Sequence, residues 1–295
     1  MRPQLRHGRT PCRRLAGWAR GLALAPLAGC LPHLGVSAQE PPFLNGIDFD
    51  EPTHALRLPP SLREISGLAF LDTRLLAHND EDGFLVELNK EDGSVIGWTH
   101  LGPDRVLGDF EGVATLGDTL FMITSGGTLV AFQESVDDQP VSYVATLTPA
   151  GDICEIEGLA SALDGRLWAV CKTNRDRALR NGLRILAMDP LEPDGPVQMV
   201  FEMTEEQLDY IGVEGLRPSA IEILPGGHTL VLSARGRLLL ELDTRGRPVA
   251  WVELSKSRHP QAEGLAVSPD GALWIADEGG RGRGRLVRYG PRQGG

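Results

Sequence analysis

Short apolar runs recur along the chain between turn residues. "EISGLAF", "RLLAHND", "GFLVELN" and "SVIGWTH" follow one another from Glu64 to His100. Runs of this length, bounded by Gly, Asp and Asn, predict β-strands. The first run then returns. It reappears within "GDFEGVATLGDTLFMITSGG" (108–127), as "EIEGLAS" from Glu155, as "QAEGLAV" from Gln261, and more weakly as "RPSAIEI" from Arg217. The repeated position is Ser66, Glu111, Glu157, Ser219 and Glu263, at spacings of 45, 46, 62 and 44 residues. Strands deplete Asp, Glu and Gly. An acidic pair heading an apolar strand is therefore locally disfavoured, and its recurrence marks a candidate functional position.

A period of 40 to 50 residues with several short strands per unit is the signature of a propeller with four strands per blade. The prediction is an all-β chain: one five-bladed β-propeller over residues 63–291. The last copy runs out of chain before its outermost strand. Residues 45–58, "NGIDFDEPTHALRL", within a connecting segment 39–62, are expected to supply that strand and close the ring, removing an exposed edge. The 62-residue copy carries two insertions. "NRDRALRNG" (174–182) is a polar excursion. "TEEQLDYIG" (204–212) predicts a short helix with a Thr204/Gln207 capping box. Each reads as a lid or as a plain surface loop.

In a propeller the start of each inner strand and the end of the second strand share one face. Counting outward from two-residue turns pairs Ser66 with Asn79, Glu111 with Thr124, Glu157 with Lys172, Ser219 with Ala234 and Glu263 with Glu278. Glu64, Asp109, Glu155, Arg217 and Gln261 stand two residues earlier, and Asp80, Glu81 and Asp277 share the rim. Carboxylates about 6 Å apart repel by roughly 0.7 kcal/mol in water and about 3 kcal/mol at an effective dielectric of 20. A crowded mouth therefore needs raised pKa values, basic neighbours or a bound cation. The candidate metal ligands are Glu64, Asp80, Asp109, Glu111, Glu155, Glu157, Glu263, Asp277 and Glu278. Ca2+ is the expected ion, because it tolerates irregular oxygen coordination. Lys172 and Arg217 are the candidate anion-binding residues. A second reading stays open, in which the glutamates accept hydrogen bonds from neighbouring blades and lock the ring.

Other motifs carry less. "HNDEDG" spaces His78, Asp80, Asp82 and Gly83 as an EF-hand loop would, but Asn89 stands where the bidentate Glu belongs. The seven His show no zinc spacing. No phosphate-binding Gly loop or G-x-S-x-G elbow occurs.

Charge and cysteine change the picture at the ends. The formal net charge is −11. The first 38 residues hold six Arg and no acid, so the remainder has 23 basic against 40 acidic residues. That balance argues against a nucleic-acid partner. The Arg-rich start followed by "GLALAPLAGCLPHLGVSAQE" reads as an export signal. "VSA" before Gln39 fits cleavage after residue 38. "LAGC" fits lipoprotein processing after residue 29, with Cys30 lipidated. The expected location is the periplasm or cell envelope, with contact to the membrane only through a lipid anchor. Cys154 and Cys171 are expected to be separate thiols. With a two-residue turn at Asp164-Gly165, Cys171 faces Gly158, and Cys154 lies about 13 Å further along its strand.

At these residues the chain resembles the SdiA-regulated family of YjiK/CarP-like propellers. The phrases are "EISGLAF...LLAHNDEDGFLVEL", "DFEGVA", "EIEGLA", "RPSAIEILPGGHTLVLS" and "EGLAVSPDGALWIADE". The resemblance implies an exported or membrane-anchored five-bladed propeller linked to calcium responses, with no agreed catalytic residues to carry over. One blade, "ISGL" followed by "ND", is also similar to phytase-like esterase propellers. Three functions are consistent with these residues. The first is a calcium-binding propeller in homeostasis or signalling. The second is a metal-dependent hydrolase of phosphate esters or lactones, with Glu111 or Glu263 as base and a small anionic substrate. The third is a protein-binding scaffold.

Overall fold

The computed structural model describes residues 41–292. The expected export signal, Cys30 included, lies outside the described residues. A short strand, β1 (His54–Arg57), precedes five sets of strands that run from inner to outer. Blade 1 is β2 (Ile65–Leu71), β3 (Arg74–Asn79), β4 (Phe84–Leu88) and β5 (Val95–His100). Blade 2 is β6 (Phe110–Leu116), β7 (Thr119–Thr124), β8 (Thr128–Phe132) and β9 (Tyr143–Leu147). Blade 3 is β10 (Cys154–Ser161), β11 (Leu167–Asn174), β12 (Leu183–Met188) and β13 (Gln198–Met203). Blade 4 is β14 (Pro218–Ile223), β15 (Thr229–Ser233), β16 (Leu238–Leu242) and β17 (Pro248–Glu253). Blade 5 is β18 (Ala262–Val267), β19 (Leu273–Asp277) and β20 (Arg285–Tyr289).

The chain is a five-bladed β-propeller of five four-stranded antiparallel sheets, and β1 supplies the missing strand of the last sheet, in the order β1-β20-β19-β18. Ring closure has a second fastening. The buried Glu241 carboxylate accepts the Phe43 and Leu44 N–H groups at 2.8 and 2.9 Å. Leu44 and Ile47 then pack into the core between blades 4 and 5.

The apolar runs of the second strands β3, β7, β15 and β19 are continuous because those strands are buried on both faces. Leu75 and Ala77 of β3 pack towards blade 5, while Leu76 between them packs towards blade 2. Phe121 and Ile123 of β7 face blade 3, and Leu120 and Met122 face blade 1. Period-2 geometry thus places alternate residues in two different interfaces, and one core cluster fills each of the five gaps between blades.

In the first insertion, Asn174 Nδ2 donates to Leu179 O at 2.7 Å and holds the excursion against the end of β11. In the second, a helix, α1 (Glu205–Tyr210), carries the expected capping box, with Gln207 N–H donating to Thr204 Oγ1 at 3.3 Å and Thr204 N–H to Gln207 Oε1 at 2.8 Å. Asn181 joins the two insertions, donating to Glu205 at 2.8 Å.

Cys154 and Cys171 form a disulfide with Cα atoms 5.7 Å apart, contrary to the expectation of separate thiols. Two register changes bring them together. The hairpin turn is wider than two residues, closing with Ala162 N–H on Arg166 O at 2.8 Å. A bulge in β10 then places Ile156, rather than Gly158, opposite Cys171. Reduction is expected to lower stability by about 2–4 kcal/mol. Thermal unfolding with and without reductant measures this; an unchanged melting temperature would show that the bridge contributes nothing.

Candidate functional site

The repeated position is the bulged residue of every inner strand. Ile65 pairs with Asn79 and Gly67 with His78, which leaves Ser66 between them unpaired. Glu111, Ser219 and Glu263 occupy the same place in β6, β14 and β18. In β10 the pairs Ile156–Cys171 and Leu159–Ala169 enclose Glu157 and Gly158 against Val170 alone. The cross-strand pairs expected for these five residues are therefore corrected: none is a ladder partner. A bulge disrupts the ladder locally and re-aims the side chain of the extra residue, so the strand rule that disfavours Glu there does not apply.

The glycine after each glutamate has a packing reason. A Cβ on Gly112 would stand 2.5 Å from Leu159 N in blade 3, and one on Gly158 would stand 3.0 Å from Ala220 Cα in blade 4. Inner strands approach this closely only without a side chain.

The five bulged side chains form an inner tier. Ser66 Oγ donates to Glu111 Oε2 at 2.9 Å, joining blades 1 and 2. Ser219 Oγ donates to Ala262 O at 2.8 Å, joining blades 4 and 5. Lys172 pairs with Glu157 Oε1. Glu157 is 3 % exposed, and its other oxygen, Oε2, has no hydrogen-bond partner among the described residues. The bulged serines thus donate the blade-locking bonds, Glu111 accepts one of them, and Glu157 Oε2 is left without a donor.

Electrostatics report that proximity. Burial raises the Glu111 pKa, and repulsion from Glu157 adds to it. Burial also raises Glu157, against the pull of Lys172. Glu263 is pushed up to about 9 by burial and by repulsion from Glu157 and Glu278. Burial opposes the Lys172 ammonium, but Glu157, Glu111 and Glu155 outweigh it and hold the lysine charged. Protons thus keep this ring from full ionisation, and Lys172 offsets the charge that Glu157 carries.

The outer tier divides. Glu278 is raised to about 7 by burial and by repulsion from Asp80 and Glu64. Asp80 is raised by burial and by Glu64. These three form an acidic group where blades 5 and 1 meet, with Arg63 bridging to Glu64 at 3.1 Å. Asp109 accepts from Ser125 Oγ, and Glu155 is exposed. Asp277 is not brought to the mouth: its carboxylate is buried on His259 Nδ1 at 2.7 Å, and His259 Nε2 lies 2.6 Å from the Tyr289 hydroxyl. Arg217 donates to Asn181 of the first insertion. His78 is buried, and burial pushes it down to about 4.

One ionisable residue, Glu222, was not among the expected site residues. It lies three residues beyond Ser219, where the other blades have Ala69, Ala114, Ala160 and Ala266. Burial alone pushes it up to about 8. Its signal in the sequence is the one break in an alanine repeat. Among the described residues no group of three or more His, Cys, Asp or Glu stands placed to hold a metal ion.

The stretch from the end of α1 through blade 4 and into blade 5 contains the bulges of Ser219 and Glu263. Residues 211–281 match the SdiA-regulated family. The quoted phrases of blades 1 to 3 lie outside that match and repeat its bulge. Among solved structures, the chain is similar to a glutaminyl cyclase of Myxococcus xanthus, at 16% identity over 81% of this chain and 94% of that one, with a TM-score of 0.54. It is also similar to the PQQ-bound form of aldose sugar dehydrogenase from Streptomyces coelicolor, at 13% identity over 82% and 98%, with a TM-score of 0.53. At such identities the likeness is one of fold alone.

The raised carboxylates have a consequence for stability. Above the ordinary glutamate value of 4.5, the unfolded Glu263 ionises while the folded one keeps its proton until about pH 9. The folded state then holds more protons, so this contribution is full below 4.5 and is lost as pH rises towards 9. A Glu263→Gln variant is expected to melt above the wild type at about pH 8.5, with the gap closing by about pH 5.5. A variant that melts with or below the wild type at high pH would show Glu263 ionised in the folded ring.

Proposed function

We propose that the mouth binds a divalent cation, with Ca2+ the best match, and that the protein acts in the cell envelope in calcium homeostasis or signalling. The observation that carries this reading is the buried, unpartnered Glu157 Oε2 of blade 3, with Glu111 on the neighbouring bulge of blade 2 and Glu263 on that of blade 5. A buried carboxylate oxygen without a partner costs free energy that a hard cation would recover. The donor set fits such an ion, being all oxygen, with serine hydroxyls completing the tier. Its present spacing does not, so binding requires Glu111 and Glu263 to turn towards Glu157. The Cys154–Cys171 disulfide supports an oxidising compartment. No helix of the described residues is long and apolar enough to cross a membrane.

Calorimetric titration of the purified protein with Ca2+ tests the reading. Binding in the micromolar to millimolar range is expected, and it should be lost in a Glu111→Gln/Glu263→Gln double variant that still folds. A wild type that takes up no Ca2+, Mg2+ or Mn2+ would refute the proposal and leave the bulged glutamates a purely structural role.

A further inference from the structure

The outer edges of the blades are protected unequally. In blades 1, 3 and 4 the outermost pair of strands carries a register shift, after Glu87, Ile185 and Glu241 respectively. Such shifts twist an edge away from any added strand. Blade 1 is also covered by the loop between β8 and β9. Asp138 accepts the Trp98 N–H at 2.7 Å, Ser135 N–H reaches Thr99 Oγ1 at 3.1 Å, and Val141 N–H donates to His100 O at 2.8 Å. In blade 3 the outer strand holds Glu202; in blade 4 it holds Pro248 and Glu253; in blade 5 it ends at Arg57. Charge and proline are further devices that blunt edges.

Blade 2 has none of these. Its outer strand β9, "YVATL", pairs with β8 in unbroken register from Thr128–Leu147 to Phe132–Tyr143. It contains no charge and no proline, and four of its five residues are exposed. Val144 is 67 % and Leu147 69 % exposed. A regular, uncharged, largely apolar edge is a template for another strand.

We infer that β9 pairs antiparallel with β9 of a second copy of this chain, about a two-fold axis at Ala145, joining two blade-2 sheets into one. The strand suits itself. In that register Tyr143 faces the partner's Leu147, Val144 faces the partner's Thr146, and Ala145 faces the partner's Ala145. No carboxylates oppose each other, which matters in a chain of formal charge −11, because like charges directly opposite destabilise a strand pair. An open cleft of about 700 Å³, with Phe132, Val136, Pro140 and Val141 on its apolar side and Gln133 and Glu134 on its polar side, lies at the Tyr143 end of the strand. The two-fold places the partner's Leu147 at that end, beside the apolar side of the cleft. Val136 is 77 % exposed in the single chain. An isologous contact of this kind closes on itself as a dimer and does not propagate. Five paired residues make a small interface, so the dimer is a reversible one.

Sedimentation equilibrium of the purified protein across the micromolar range tests the inference. The wild type is expected to approach twice the mass of one chain as concentration rises. Ala145→Glu and Ala145→Lys each set like charges across the axis and should weaken the dimer several-fold; at concentrations too low for the dimer to form, each should melt with the wild type because Ala145 is exposed. An equimolar mixture of the two variants should dimerise again, since opposite charges then face each other. A wild type that stays monomeric, variants that dimerise as it does, or a mixture that remains monomeric would each overturn the inference.

Discussion

The β-bulge at the head of each inner strand is the constraint on which the rest depends. It sits at Ser66, Glu111, Glu157, Ser219 and Glu263, and it takes one residue out of the ladder in each blade. Freed from a cross-strand partner, that side chain can lie along the ring rather than into a sheet interface. Ser66 and Ser219 use this freedom to bond the next blade. The glutamates use it to gather at one mouth. In β10 the same irregularity shortens the distance between Cys154 and Cys171, so the disulfide and the buried Glu157 share one cause.

Gathering acids in a half-buried ring works against folding, and the molecule offsets it in two ways. Lys172 neutralises Glu157, and protons neutralise much of the remainder. The arrangement contrasts with Asp277, Asp243 and Glu241, whose buried carboxylates are served by hydrogen-bond donors on both oxygens. Glu157 keeps an unserved oxygen, and that difference separates the mouth from the framework.

Much of the architecture was legible in the chain itself. The 45-residue recurrence and the continuous apolar runs defined five blades, because strands buried on both faces must be apolar throughout. The absent last strand pointed to the N-terminal segment, where β1 is found. Register was not legible. A bulge leaves the residue count of a hairpin ambiguous by one, and each miscounted residue swaps neighbours across the ladder. That ambiguity produced the mistaken pair Glu111–Thr124; with turns one residue wider than two, it also produced Glu263–Glu278 and the mistaken separation of Cys154 from Cys171. Asp277 belongs to the rim by position alone, but His259 and Tyr289, distant in sequence until the blade forms, draw it inwards.

The most direct test of the account is a crystal structure grown in Ca2+, with anomalous scattering used to locate the ion. The account predicts an ion on the ring axis bound to Glu157 Oε2, with the Glu111 and Glu263 side chains turned towards it. An ion-free mouth in which all three glutamates hold their present positions, with Glu157 Oε2 satisfied by water, would contradict it.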